Sequence, residues 1–357
     1  MTLSAVQHSL FVKATKLGAG KQAVALSDGA ARALIAITAD DLGILPDIAA
    51  LSASVALYSN QPPSRLSVDN GEPPLAMFER LVTSGAVDAD MYFSCLAALH
   101  KGRLKYERIL STQALPTIDQ VGPRGLLLYG LMQTSALASL LLWRKWIFDI
   151  DNRAGQETGY VFEPILAGAI GGAPASAGKS PVRRRNDRSK GRQVDCVLDN
   201  VAYEFKLRVT IAASGQGRWA EELEFPLDCV DSGFVPALVV LDPTDDPKLD
   251  QLQREFKNAG GKAYIGDAAW DHLEQQAGAS MGVFVKRYIR HPLKDLLEQA
   301  PSPEAIPDFA VTMEPGAVHF RTGSATAVFK RADTDSIMIS EEEDVIPEDV
   351  DEQTPGV

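Results

Sequence analysis

Sulfur, imidazole and leader chemistry are all thin in this sequence. Its 357 residues include three cysteines, Cys95, Cys196 and Cys229, odd in number and far apart with no Cys-x-x-Cys, which argues against both a disulfide framework and a zinc-thiolate site. The five histidines form no His-Glu-x-x-His or other close pair, so transition-metal chemistry has no ligand set to build on. The N-terminus lacks the basic-then-apolar order of a secretory signal, and a reducing cytoplasm is the expected compartment. Lys and Arg are missing altogether beyond Arg331, where ten acids follow. With those ten set aside, the formal charge of −12 shrinks to −2 over residues 1–331, so the acidity belongs to a tail and does not argue against a polyanionic partner. That tail, 332–357, has no aromatic residue and two prolines, and disorder is expected for it.

Charge is also absent from Gly125 to Trp143, within the apolar run Gly125–Phe148. Its length approaches a membrane span, but Gln133, Thr134, Ser135 and Ser139 interrupt it, so it reads as a buried core helix or one at a subunit interface. The other helices expected in residues 1–150 are Asp28–Thr38, Leu42–Tyr58, Pro73–Gly85 and Ala89–Leu110, separated by Gly, Pro and Asn breaks.

The most informative stretch is QVDCVLDNVAYEFKLRVT, Gln193 to Thr210. Two runs rich in β-branched and aromatic residues flank Asp199-Asn200, a two-residue turn that sets the pairing of a β-hairpin. Leu198 then faces Val201, Val197 faces Ala202, Cys196 faces Tyr203, and Asp195 lands opposite Glu204. Opposed positions bring Cβ atoms to ~4.5–5.5 Å on one face of the sheet, where two carboxylates repel unless a cation lies between them. Alternation puts Lys206 on the face of Glu204 and leaves the Phe205 carbonyl nearby. Oxygen donors of this kind suit Mg²⁺, and a lysine beside them suits hydrolysis of a phosphodiester.

Asp195, eight residues, then Glu204-Phe205-Lys206 on a hairpin resembles the PD-(D/E)XK nuclease superfamily. That resemblance implies a mixed β-sheet flanked by helices, with Asp195, Glu204 and the Phe205 carbonyl as Mg²⁺ ligands and Lys206 beside the attacking water. An acid from the preceding helix is common in the superfamily, and Glu163 is the candidate here. Pro164 then either starts a helix or disfavours a helical Glu163. The sequence Gly159-Tyr160-x-Phe162-Glu163, followed by a basic run and Glu204-Phe205-Lys206, is similar to the ApaLI-like type II restriction endonucleases, which implies a homodimer acting on double-stranded DNA.

Between Glu163 and the hairpin, Lys179–Arg192 carries seven basic residues against Asp187 alone. The segment is expected to be extended and mobile when free, and to grip phosphates through Arg183, Arg184, Arg185, Arg188, Lys190 and Arg192, with Arg208 and Arg218 flanking the site. Gly178-Lys179-Ser180 imitates the end of a P-loop, but Gly172 is one residue too distant for that motif. Downstream, a strand at Pro236–Asp242, a helix capped and opened by Asp246-Pro247, and a strand at Lys262–Ile265 continue an α/β order. An amphipathic helical stretch at Ser280–Ala300 bends at Pro292, and Phe309–Arg331 alternates like a small β-meander. The expected layout is an α/β protein: a helical N-terminal region (1–150), a nuclease core (151–300), the meander (301–331) and the tail, with no membrane segment. A structure- or damage-specific nuclease, or a non-catalytic DNA-binding protein, would use the same features differently.

Overall fold

Helix signals dominate the first half of the chain and strand signals its middle, and the computed structural model realises both. It describes residues 3–17, 23–207, 216–242, 244, 247–299, 302, 305 and 308–332, with backbone alone for 156 and 216–218. In chain order, helices α1 (Ala5–Thr15), α2 (Asp28–Asp41), α3 (Pro46–Ala49), α4 (Pro74–Thr83), α5 (Ala89–Thr112), α6 (Ile118–Val121) and α7 (Thr134–Ala169) come first. Strands β1 (Ala173–Ala175), β2 (Arg183–Arg184), β3 (Asp187–Gly191), β4 (Val194–Leu198) and β5 (Val201–Lys206) follow, then α8 (Gln216–Asp231), β6 (Val235–Val240), α9 (Pro247–Asn258), β7 (Lys262–Ile265), α10 (Asp267–Val285) and α11 (His291–Glu298). A meander of β8 (Phe309–Glu314), β9 (Ala317–Thr322) and β10 (Ala325–Lys330) comes last.

The chain groups into two units. The first holds Met1–Ser84, Leu96–Val161 and Leu296–Ser340; the second holds Gly85–Cys95 and Phe162–Asp295. In the first, α2 buries Ala30 to Ala39 nearly all round, as a central helix must. Its start is fixed by Ser27, whose hydroxyl accepts from the Ala30 N–H at 3.1 Å. The meander is antiparallel in the order β10-β9-β8, and Val318 and Phe320 pack on Trp146 of α7, whose ring stacks on Phe320 at 6.2 Å.

The second unit is built on a mixed sheet ordered β1-β4-β5-β6-β7, antiparallel from β1 to β5 and parallel from β5 to β7. Glu204 and Lys206 are paired with Leu238 and Val240, so they share the face that packs Ala202, Leu238 and Val240 against Phe225 and Cys229 of α8 and Leu249 and Phe256 of α9. On the other face Tyr203 meets His272 of α10, which stacks on Tyr264 at 3.9 Å. A parallel pair buried between helices on both sides explains the continuous apolar run of β6.

Several expectations need correction. Leu42–Tyr58 is not one helix: Leu45 adopts φ 48°, and only the short α3 and a 3₁₀ turn at Ala50–Ser54 form. Gly125–Phe148 is not one helix, and only part of it, including Gly125, Leu137, Leu141 and Trp146, is buried. A 3₁₀ segment spans Gly122–Leu128, Gly130 turns at φ 85°, and α7 starts only at Thr134, leaving several leucines in solvent. Pro164 neither starts a helix nor ends one; it lies inside α7, where burial of Ile165, Leu166 and Ala167 offsets its missing hydrogen bond. The basic stretch is not an extended loop: β2 and β3 pair as a ribbon. The bend expected at Pro292 is instead a kink at Gly278 (φ 69°) within α10, and a π turn at Lys286–Arg290 leads into α11. Among the described residues no helix is long and apolar enough to cross a membrane. Arg208, Asp246 and nearly all of the acidic tail lie outside the described residues, as does the side chain of Arg218.

What pins the ribbon is an ion pair with almost no solvent around it. Arg192, placed by sequence among the phosphate contacts, is buried instead: its Nη1 meets Asp228 Oδ2 at 3.0 Å, Nη2 donates to the Glu221 carbonyl, and its guanidinium lies over Phe225. The other Asp228 oxygen accepts the Arg185 N–H at 2.8 Å, and the Arg183 N–H donates to the Ser232 hydroxyl at 2.9 Å. Removing one partner of such a pair strands the other charge in the interior. Asp228→Ala is expected to destabilise the protein by about 3 kcal/mol in urea unfolding, whereas Arg188→Ala on the exposed ribbon should change it by less than about 0.5 kcal/mol.

Candidate active site

The hairpin forms with the register that the two-residue turn demands: Leu198 pairs with Val201, Val197 with Ala202 and Cys196 with Tyr203. Asp199 sits at φ 51°, a left-handed conformation that Asp tolerates in tight turns. The ladder stops one step before Asp195 and Glu204. Beyond Cys196 the Asp195 side chain takes over, its Oδ2 accepting the Phe205 N–H at 2.8 Å. Asn200 and Lys206 give their carbonyls to Val235 and Leu241 in the β6 direction, so alternation turns the Phe205 carbonyl toward β4 and Asp195.

Around this point one ammonium meets several carboxylates. Lys206 Nζ lies 3.3 Å from Glu204 Oε1 and 3.4 Å from Glu222 Oε2. Burial opposes the lysine's charge, but Glu204, Glu222 and Asp195 more than reverse that effect, and its pKa is raised. Asp195 is pushed well above the usual carboxylate range by burial, then by the charges of Glu204 and Glu163, against the Phe205 N–H and Lys206. Burial, followed by Glu204, lifts Glu163 of α7 to about 7. Asp195, Glu204, Lys206 and Glu163 therefore share one electrostatic neighbourhood, assembled from two strands and a helix.

Glu222 is a member of the site that the sequence motif does not include. It stands on α8, one turn from the face that packs Phe225 over Ala202, so the helix that covers the sheet also delivers a carboxylate to Lys206. Its Oε2 is buried and has no hydrogen bond among the described residues. The only hint in sequence was the acidic pair Glu221-Glu222 at the start of a helix whose register could not be known.

The donor set fits a hard divalent cation. All candidate ligands are oxygens, and the carboxylates outnumber the one ammonium beside them. Among the described residues no group of three or more His, Cys, Asp or Glu is placed to hold a metal ion by itself. Mg²⁺ takes one or two carboxylates and fills its remaining positions with water and phosphate. Asp195, Glu204 and the Phe205 carbonyl are the groups that would hold it.

Beside the site, the β2–β3 ribbon exposes Arg183, Arg185, Arg188 and Lys190. Arg184 pairs with Glu221 at 3.0 Å and Asn186 with Glu224 at 3.3 Å, so these two side chains line a cleft between the ribbon and α8.

Residues 74–290, which contain the hairpin, Glu163, the ribbon and α8, match the family of ApaLI-like restriction endonucleases. The chain belongs to that family. In this ApaLI-like chain, 217 residues are 57% identical to the type II restriction enzyme ApaLI of Acetobacter pasteurianus, covering 59% of this chain and 58% of that enzyme. The chain thus matches a little over half the length of this relative. No solved structure matches it.

The raised carboxyls make the metal-free ApaLI-like site sensitive to pH in a definite direction. Glu163 titrates near 7 in the folded protein and near 4.5 when unfolded, so its contribution is full below 4.5 and is lost as pH rises through 7; Asp195 acts with the same sign. Glu163→Gln is therefore expected to stabilise the metal-free protein at pH 8 by roughly 1–3 kcal/mol and to have little effect at pH 4. Chemical unfolding of both proteins at the two pH values checks this; a loss of stability at pH 8 would contradict it.

Proposed function

We propose that this chain is a Mg²⁺-dependent type II restriction endonuclease that hydrolyses both strands of double-stranded DNA at a short specific site. The observation that carries the proposal is the convergence of Asp195, Glu204 and Glu163 on Lys206 at the open end of the hairpin. The family match adds the class of enzyme.

In this reading the residues divide the work by charge. Asp195, Glu204 and the Phe205 carbonyl hold the ion, which when bound supplies neutralisation of the scissile phosphate and acidification of water. Lys206 stays an ammonium, since its neighbours favour the charged form, so it orients the attacking water and steadies charge on the phosphate rather than taking a proton. Glu163, poised near neutrality, accepts a water proton or serves as an outer ligand. Glu222 holds the ammonium from the side away from the strands, a positioning role. Arg183, Arg184, Arg185, Arg188 and Lys190 grip the backbone, Arg208 and Arg218 extend that grip, and Arg192 acts through the ribbon it anchors. Each chain cuts one strand, and a twofold homodimer in the cytoplasm cuts both.

Digestion of mapped plasmid DNA tests the proposal. The wild type with Mg²⁺ should give discrete fragments, and EDTA should abolish them. Lys206→Ala and Asp195→Asn should lose at least about 10³-fold in rate while binding the same DNA in a gel-shift assay. Smears or nicks scattered along the plasmid would point to a structure- or damage-directed nuclease. No cutting under any condition, with binding intact, would leave only a DNA-binding protein.

A further inference from the structure

The longest uncharged run of the chain, residues 125–143, also holds the most exposed leucines among the described residues. Leu126 is 75% exposed, Leu127 93%, Tyr129 69% and Leu131 73%. Leu140, Ile147 and Phe148 of α7 are open as well. The two groups lie on segments packed against each other. Gly125 is buried so tightly that a Cβ there would meet Leu141 at 2.7 Å, and Leu128 packs on Val121, Leu137 and Leu141, which seats the segment against the first turns of α7. Phe148 and Arg144 line the same cleft as Val121 and Arg124, extending the surface along the helix.

We infer that this face is where two copies of the chain meet. The exposed portions together amount to about four and a half large side chains; at ~150 Å² each they come to roughly 700 Å². Monomers rarely expose a contiguous apolar patch beyond ~300–600 Å², while each side of a stable standard-size interface buries ~800 Å². Self-contact also fits the uncharged run 125–143, which Arg124, Arg144 and Lys145 only border. A surface that meets its own copy across a twofold axis brings identical groups together, so charge at its centre would face its like. The partner's identity rests on the duplex-cutting proposal: among the described residues one chain holds one carboxylate and lysine cluster, and two strands need two.

The test is the mass of the full chain by light scattering at micromolar concentration, with cutting measured separately. The wild type should show twice 38.5 kDa. Leu127→Asp and Leu131→Asp, both at positions the monomer leaves in water, should run at 38.5 kDa with unchanged circular dichroism and should nick DNA rather than cut both strands. Hydrogen exchange of the wild type should slow at residues 126–132 as concentration rises, which needs no variant to fold. A monomeric wild type, a variant that stays dimeric, or exchange at 126–132 independent of concentration would overturn the inference. A dimer dispersed by Leu127→Asp but unable to cut any DNA would uphold this surface and sink the nuclease proposal alone.

Discussion

Mutual repulsion among partly buried carboxylates is the constraint around which the second unit is arranged. Burial and the charge of Glu204 raise the pKa of Asp195 and Glu163, and a single ammonium, Lys206, offsets only part of the excess. A structural role would favour fewer acids or more cations. Negative charge held in excess beside a backbone carbonyl is instead what a small divalent ion needs, and the fold keeps it in place through ordinary packing of the sheet.

That packing explains where each group comes from. The turn at Asp199 sets the hairpin register, and the register brings Asp195 beside β5 while alternation sends Glu204 and Lys206 to the α8 side. Helix α8 is committed to that side by Phe225 and Cys229 in the core, which makes Glu222 a consequence of burial. The same helix carries Asp228, whose pair with Arg192 anchors the basic ribbon. One helix therefore connects the acidic site to its cationic rim.

The hairpin and its acids were legible in the sequence because both depend on neighbours in the chain: a two-residue turn and a period of two. The three-stranded meander was legible by its alternation, and β6 by its continuous apolar run between helices. Where sequence reading failed, distant contacts decided. Pro164 was taken as a boundary, but Ile165 and Leu166 bury enough to carry a helix across it. Arg192 looked like its basic neighbours, and only Asp228, thirty-six residues on, distinguishes it. The leucines after Gly125 implied a core, because hydrophobicity alone does not say whether its cover comes from the same chain.

The central claim is that Asp195 and Glu204 stand ready to share one cation. Diffraction from crystals of this chain soaked in Mn²⁺, measured at the manganese absorption edge, addresses it without reference to activity. An anomalous peak between the Asp195 and Glu204 carboxylates, within bonding distance of the Phe205 carbonyl, is the predicted result. A manganese ion bound elsewhere, with these two carboxylates turned from each other or joined only through a proton, would contradict the account.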